Sequence, residues 1–215
     1  MALTLYFHPL SSYCQKVVVA LYENGTPFTP KLVNLQDEGE RAAFQALWPI
    51  GKFPVLQDAA RDRMVPESSI IIEYLAQHYP GKSELVPRDP DLARQMRLRD
   101  RFFDLHVNVP MQKIFTDRLR PAGKNDAYGV DQAKEALAVA YGIVDNAMAA
   151  KTWAIGDSFT MADCAAAPSL NYAGMALPFG DARPHLSAYL ARLRERPSFA
   201  RALHEAEAYF SLLPK

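Results

Sequence analysis

Three short clusters in the chain carry side chains able to do chemistry. Ser11, Ser12 and Cys14 stand where an alternating strand pattern gives way to a helix. A serine at such a point accepts hydrogen bonds from the free amides of the first turn. A hydroxyl also donates, so the same group can stabilise an anion. Cys14 follows Ser11 by three positions and lies near the same face of the helix start. It reads either as a small buried apolar residue or as a redox thiol. The second cluster is Gly51-Lys52-Phe53-Pro54-Val55-Leu56, a proline at the entry to a strand. The third is Glu67-Ser68, a carboxylate and a hydroxyl opening an apolar helix, where a helix N-terminus favours anions. Further on, Pro110 removes the hydrogen bond to the His106 carbonyl and is expected to kink its helix.

Positioning these groups requires a regular frame, and the apolar spacing supplies one. Leu3, Leu5 and Phe7 alternate with polar neighbours and predict a strand. Tyr13, Val17, Ala20 and Leu21 form a helical stripe that Gly25 ends. Phe28 to Leu35 predicts a second strand with Pro30 marking an edge, and Glu40 to Leu47 a short helix. Residues 55–57 and 63–65 form a hairpin around Asp58 to Asp62, and a helix runs on from Ser68 or Ser69 through Leu75. The order is β-α-β-α-β-β-α within residues 1–80. Residues 81–90, with two prolines and a glycine, read as a linker.

Residues 91–215 are helical throughout in pattern. Leu92, Met96, Phe103, Val107, Met111 and Ile114 suggest one long helix, and Gln132 to Ala150 another. Thr160-Met161-Ala162-Asp163 fits a capping pattern ahead of a buried, alanine-rich helix. Two last helices span Pro184 to Arg196 and about Phe199 to Tyr209.

Composition narrows the classes. The chain has 215 residues, 49% of them apolar, with 24 basic and 24 acidic side chains and a net charge of zero. That balance argues against nucleic acid or an anionic membrane as principal partner. No apolar run approaches the roughly 18 residues of a membrane span. Cys14 and Cys164 are too few and too far apart for a disulfide framework or a metal site. With no signal-peptide pattern at the start, a reducing, cytoplasmic setting is expected.

The whole chain resembles the soluble glutathione transferases. Ser11-Ser12-Tyr13-Cys14-Gln15-Lys16-Val17 is similar to the first loop and helix of the serine-type members. Lys52-Phe53-Pro54-Val55 resembles their proline turn, Glu67-Ser68 their γ-glutamyl site, and Gly156 to Asp163 the capping box of their buried helix. The transferase class stays open. Tyr6 falls short of the loop that carries a tyrosine in other members, and Tyr13 stands third where zeta-like isomerases have cysteine.

The resemblance implies an α/β thioredoxin-like N-terminal domain over residues 1–80 and an all-α C-terminal domain over residues 91–215. It implies glutathione as co-substrate, with Ser11 as the catalytic hydroxyl that donates to the thiolate. A free thiol has a pKa of about 8.5, and a donated hydrogen bond lowers it. Pro54 is expected in cis, Val55 to offer backbone groups to the cysteinyl part, and Lys52 to meet the glycine carboxylate. Phe53 belongs to the same turn. Ser68 and the helix amides would receive the γ-glutamyl carboxylate, and Glu67 the α-ammonium. Leu10, Tyr13, His106, Pro110 and Phe115 are candidates for the pocket of a small hydrophobic electrophile. The implied activity is thiol conjugation in detoxification by a homodimer. A glutathione-dependent reductase using Cys14, an isomerase, and a non-catalytic binding protein on the same fold are the alternatives.

Overall fold

Alternation in the first strand decides the layering. The computed structural model describes residues 2–213. Its first half runs β1 (Leu3–Phe7), α1 (Ser12–Asn24), β2 (Thr29–Leu32), α2 (Glu38–Leu47), β3 (Val55–Asp58), β4 (Arg63–Pro66) and α3 (Ser68–His78). The sheet order is β2-β1-β3-β4, with β1 parallel to β2 and antiparallel to β3. Successive side chains on a strand face opposite ways. Leu3, Leu5, Leu56 and Val65 therefore join the main core with α1 and α3. Tyr6, Val55 and Met64 join a smaller cluster around Phe44 of α2.

The second half comprises α4 (Pro90–Phe102), a π-helical turn (Phe103–Asn108), α5 (Val109–Arg118), α6 (Ala127–Met148), α7 (Met161–Ala176), α8 (Pro184–Glu195), α9 (Pro197–Ala206) and a 3₁₀ turn (Glu207–Leu212). Helix α7 is buried on all sides through Ala173 and packs against α1 and α4. Asp163 secures its start. Its Oδ2 accepts from the Thr160 N–H at 2.9 Å, and its Oδ1 accepts from the Ala154 N–H at 2.8 Å and the Tyr189 hydroxyl at 2.6 Å. One carboxylate thus ties the cap to the preceding loop and to α8. Among the described residues no helix is long and apolar enough to cross a membrane.

Several boundaries differ from the sequence expectation, and aspartate caps explain three of them. Asp37 accepts from the Glu40 N–H at 2.8 Å, so α2 begins at Glu38. Asp89 accepts from the Leu92 N–H at 2.8 Å, so α4 begins at Pro90, inside the stretch read as linker. Asp126 accepts from the Gly129 N–H at 2.9 Å, so α6 begins at Ala127 rather than Gln132. Strand β2 is shorter than Phe28 to Leu35. It is an edge strand, which is where Pro30 is tolerated. The single long helix expected through Ile114 is interrupted by the π-helical turn. Pro110 lacks an N–H, and its ring crowds the carbonyl four residues back; a widened turn relieves that. The Val109 N–H accordingly bonds the Asp104 carbonyl, five residues back.

Candidate active site

The loop between β1 and α1 separates the two serines by their hydrogen bonds. Ser12 is buried and donates through Oγ to Asn108 Oδ1 at 2.9 Å, tying the loop to the π-helical turn. Ser11, half-buried, is the N-cap of α1, with φ −75° and ψ 121°. Its Oγ accepts from the Cys14 N–H at 3.3 Å. Accepting there uses an oxygen lone pair rather than the hydroxyl proton, so capping and donation to an anion are compatible in one side chain.

Cys14 lies beneath this hydroxyl and is fully buried. Burial pushes its thiol up to about 12, against weaker lowering by the Ser11 hydroxyl and the His8 backbone. Reactive cysteines are exposed and low in pKa; Cys14 is neither. Iodoacetamide at neutral pH is expected to leave both Cys14 and Cys164 unlabelled until denaturant is added. Mass spectrometry showing Cys14 labelled in the folded protein would contradict the burial argument.

His8 was not singled out by the sequence. The Leu10 N–H donates to its Nδ1 at 3.2 Å, which places the proton of the neutral ring on Nε2. Burial lowers its pKa and keeps it neutral. The ring stacks 6.2 Å from Phe53 and meets Tyr209 edge-on at 5.3 Å.

Two cavities lie at the start of α1, one against the loop and one against Tyr13. One, of about 600 Å³, is lined by Ser11, Leu10, Met111, Phe115, Tyr172 and Leu212 among others, and among the described residues no Asp, Glu, Lys or Arg lines it. The other, of about 500 Å³, is lined by Lys52, Glu67, Ser68, Glu73, Arg97 and Arg101, so both signs of charge meet there. Phe53 lines both. The Phe53–Pro54 peptide is cis. Val55, expected to present its backbone, is wholly buried at the head of β3, opposite Tyr6 and Pro66, and lines neither cavity. Its two edges face neighbouring strands, whereas Lys52, Phe53 and Pro54 of the turn line the charged cavity.

Glu67 is exposed and holds φ at 70°, a left-handed value that costs a non-glycine residue about 1–3 kcal/mol. No side chain caps α3 after it. The first-turn amides at Ser68 therefore lack a side-chain acceptor at a position rich in positive potential.

Behind Ser68 sits a buried ionic cluster missing from the sequence reading. Lys16 Nζ lies 2.7 Å from Asp100 Oδ1 and 2.8 Å from Asp104 Oδ2, and only 1% of its side chain is exposed. Ser69 Oγ accepts from Lys16 at 2.8 Å and donates to Asp100 Oδ2 at 2.7 Å. The cluster joins α1, α3 and α4 to the π-helical turn. Burial raises the Asp104 pKa, opposed by Lys16 and reinforced by Asp100. A lysine on an otherwise apolar helix face was the available signal.

The pocket candidates divide. Leu10 and Phe115 line the apolar cavity, while Tyr13 lines the charged one. His106 and Pro110 line neither. His106 is exposed beside Phe102, because the π-helical turn faces Phe103, Asp104, Val107 and Asn108 inward instead. Tyr6 donates to Gln57 on the sheet and also lines neither cavity. In its place stands Tyr172 of α7, whose signal was a lone hydroxyl-bearing ring in a helix of small apolar residues.

With this geometry in hand, comparison with known proteins places the chain. Residues 5–83 match the family description "Glutathione S-transferase, N-terminal domain", and residues 103–197 match "Glutathione S-transferase, C-terminal domain". Glutathione S-transferase 3 of Zea mays is 31% identical over 94% of this chain and 93% of its own length. FtsZ-localized protein A of Caulobacter vibrioides is 29% identical over 91% and 88%. A glutathione S-transferase of Methylobacterium radiotolerans, solved in complex with glutathione sulfonate, superposes with a TM-score of 0.81 at 27% identity, covering 93% of each chain. The fold, the two matched domains and these relatives together show that the chain belongs to the glutathione transferase family.

Proposed function

We propose that the protein binds glutathione in the charged cavity and activates its thiol for attack on a neutral electrophile held in the apolar one. The observation that carries this reading is the pair of cavities sharing Phe53. One holds charges of both signs, as a zwitterionic peptide requires; the other is lined by no Asp, Glu, Lys or Arg among the described residues, and Ser11 lines it. The relative solved with glutathione sulfonate supports the peptide assignment.

The roles follow from the geometry. Ser68 and the free amides of α3 receive the γ-glutamyl carboxylate, and Glu67 pairs with the α-ammonium. Lys52 neutralises the glycine carboxylate. The Phe53 backbone, at the residue that lines both cavities, takes the cysteinyl contact that the resemblance assigns to Val55. Ser11 donates to the sulfur and favours thiolate. The thiolate then forms the carbon–sulfur bond while the electrophilic carbon gives up either its bond to a leaving group, which departs with the bonding pair, or a π pair, which moves onto the conjugated acceptor and is protonated there by water. The thiol proton leaves to water. The burial of Cys14 and its raised pKa favour this chemistry over a disulfide reductase. A homodimer working in a reducing cytoplasm in detoxification completes the proposal.

Calorimetric titration with glutathione tests the site. Wild-type protein is expected to bind, and Glu67→Ala/Ser68→Ala to weaken binding at least about tenfold, since hydrogen bonds to charged groups contribute about 1.5–3 kcal/mol each. Undiminished binding by the double variant would remove the γ-glutamyl assignment. A second reading, a binding protein, draws on the relative named for its localisation with FtsZ. Glutathione binding without turnover across an electrophile panel would establish it instead.

A further inference from the structure

The hydrogen bonds of Gln15 constrain the hydroxyl of Tyr172, a buried side chain that lines the apolar cavity. Gln15 is buried in α1, and one atom of its amide lies 2.8 Å from the Pro9 carbonyl oxygen. A carbonyl only accepts, so that atom is the nitrogen, Nε2. The same nitrogen lies 3.1 Å from the Tyr172 hydroxyl oxygen. Tyr172 is therefore the acceptor in this pair, and its own proton points elsewhere. The Gln15 Oε1 has no partner among the described residues, so the arrangement costs stability and satisfies only the nitrogen side. Tyr172 meets Phe115 edge-on with ring centres 6.5 Å apart and lines the apolar cavity together with Ser11. Pro9, which anchors Gln15, belongs to the loop that carries Ser11. Thus the direction of one hydroxyl is coupled to the position of the other.

We infer that Tyr172 is a second catalytic residue, whose hydroxyl donates to an acceptor oxygen conjugated to the electrophilic carbon. The inference rests on the glutathione reading above and names the electrophile it favours: an uncharged enone or a compound of the same polarity. Among the described residues no charged side chain lines the cavity to neutralise developing charge, so a neutral donor is what this wall offers. Burial raises the Tyr172 pKa to about 12, which keeps that donor protonated across the physiological range. In the step itself the thiolate sulfur bonds the β-carbon. The carbon–carbon π pair moves toward the carbonyl oxygen, where Tyr172 holds the enolate by its O–H. Water then protonates the α-carbon, replacing the proton the thiol released; no oxidant or reductant enters.

The test compares Tyr172→Phe with wild type on two electrophiles of similar size, benzylideneacetone and benzyl chloride, each with glutathione. The first places charge on an oxygen in the transition state and the second does not. The ratio of kcat/KM for the enone to that for the chloride is expected to fall about ten- to a hundredfold. An unchanged ratio overturns the inference, as does a wild-type enzyme that consumes the chloride and not the enone. Wild-type turnover of neither, with glutathione titration also negative, overturns the glutathione reading and the inference with it; turnover of neither with intact glutathione binding overturns the inference alone. If Tyr172→Phe does not fold by its thermal melt, the wild-type enzyme decides. Its acceleration over the uncatalysed thiolate reaction should then be at least about tenfold greater for the enone, and equal accelerations overturn the inference.

Discussion

Ser11→Ala is expected to lower kcat/KM about ten- to a hundredfold at neutral pH while leaving glutathione affinity largely intact. The magnitude follows from one hydrogen bond to a charged group, about 1.5–3 kcal/mol, with each 1.4 kcal/mol worth a factor of ten. The substitution also removes the acceptor for the Cys14 N–H, and cap loss costs about 0.5–2 kcal/mol of stability. The two effects are separated by pH. Without the donor the bound thiol returns toward its free value of about 8.5, so the variant should regain rate as pH rises through that value. Loss of the cap alone would lower the melting temperature at every pH and leave the pH–rate profile in place. Stopped-flow measurement of thiolate absorbance on the bound complex reads the shift directly. A wild-type profile in Ser11→Ala would remove Ser11 from the chemistry.

Lys16→Met is expected to have the largest effect on stability. It leaves Asp100 and Asp104 facing each other in the interior with no cation between them. Removing one partner from a buried ionic group costs about 3–5 kcal/mol, because the remaining charge is neither solvated nor paired. For a chain of this size that corresponds to a fall of roughly 6–20 °C in melting temperature. The pH dependence has a definite sign. A carboxyl whose folded pKa is raised contributes stability below its unfolded pKa and loses it as pH rises through the folded value. Asp104 already lies in that direction, and losing Lys16 pushes it further. The gap between variant and wild type should therefore widen toward neutral pH and narrow in acid. Calorimetric melts across that range check it; a pH-independent gap would mean that lost packing, rather than charge, accounts for the cost.

Features encoded within a few neighbouring residues were legible in the sequence. Alternation gave β1 its core face through Leu3 and Leu5, Gly25 closed α1 with φ 61°, and Thr160 with Asp163 opened α7 as expected. Aspartate caps ahead of α2, α4 and α6 extend each helix beyond the apolar periodicity from which its start is read. Features made by the meeting of distant segments were not legible. Nothing local to Lys16 announces Asp100 and Asp104, and nothing near Gln15 announces Tyr172, 157 positions away. His106 shows the same limit from the other side. The family resemblance makes it a pocket candidate on a helix expected to kink at Pro110, but the π-helical turn faces Phe103, Asp104, Val107 and Asn108 inward and leaves His106 outside.

The turn formed by Glu207–Leu212 bears on how this scaffold can be engineered. Tyr209, Leu212 and Leu213 close one side of the apolar cavity, yet the turn holding them contributes no buried side chain. The serine loop, the cis-proline turn and the lysine–aspartate cluster lie in other elements. A combinatorial library over residues 210–213, which leaves Tyr209 in its contact with His8 of the serine loop, can therefore redraw what the cavity admits with little disturbance of that loop, making this wall the natural starting point for directed evolution.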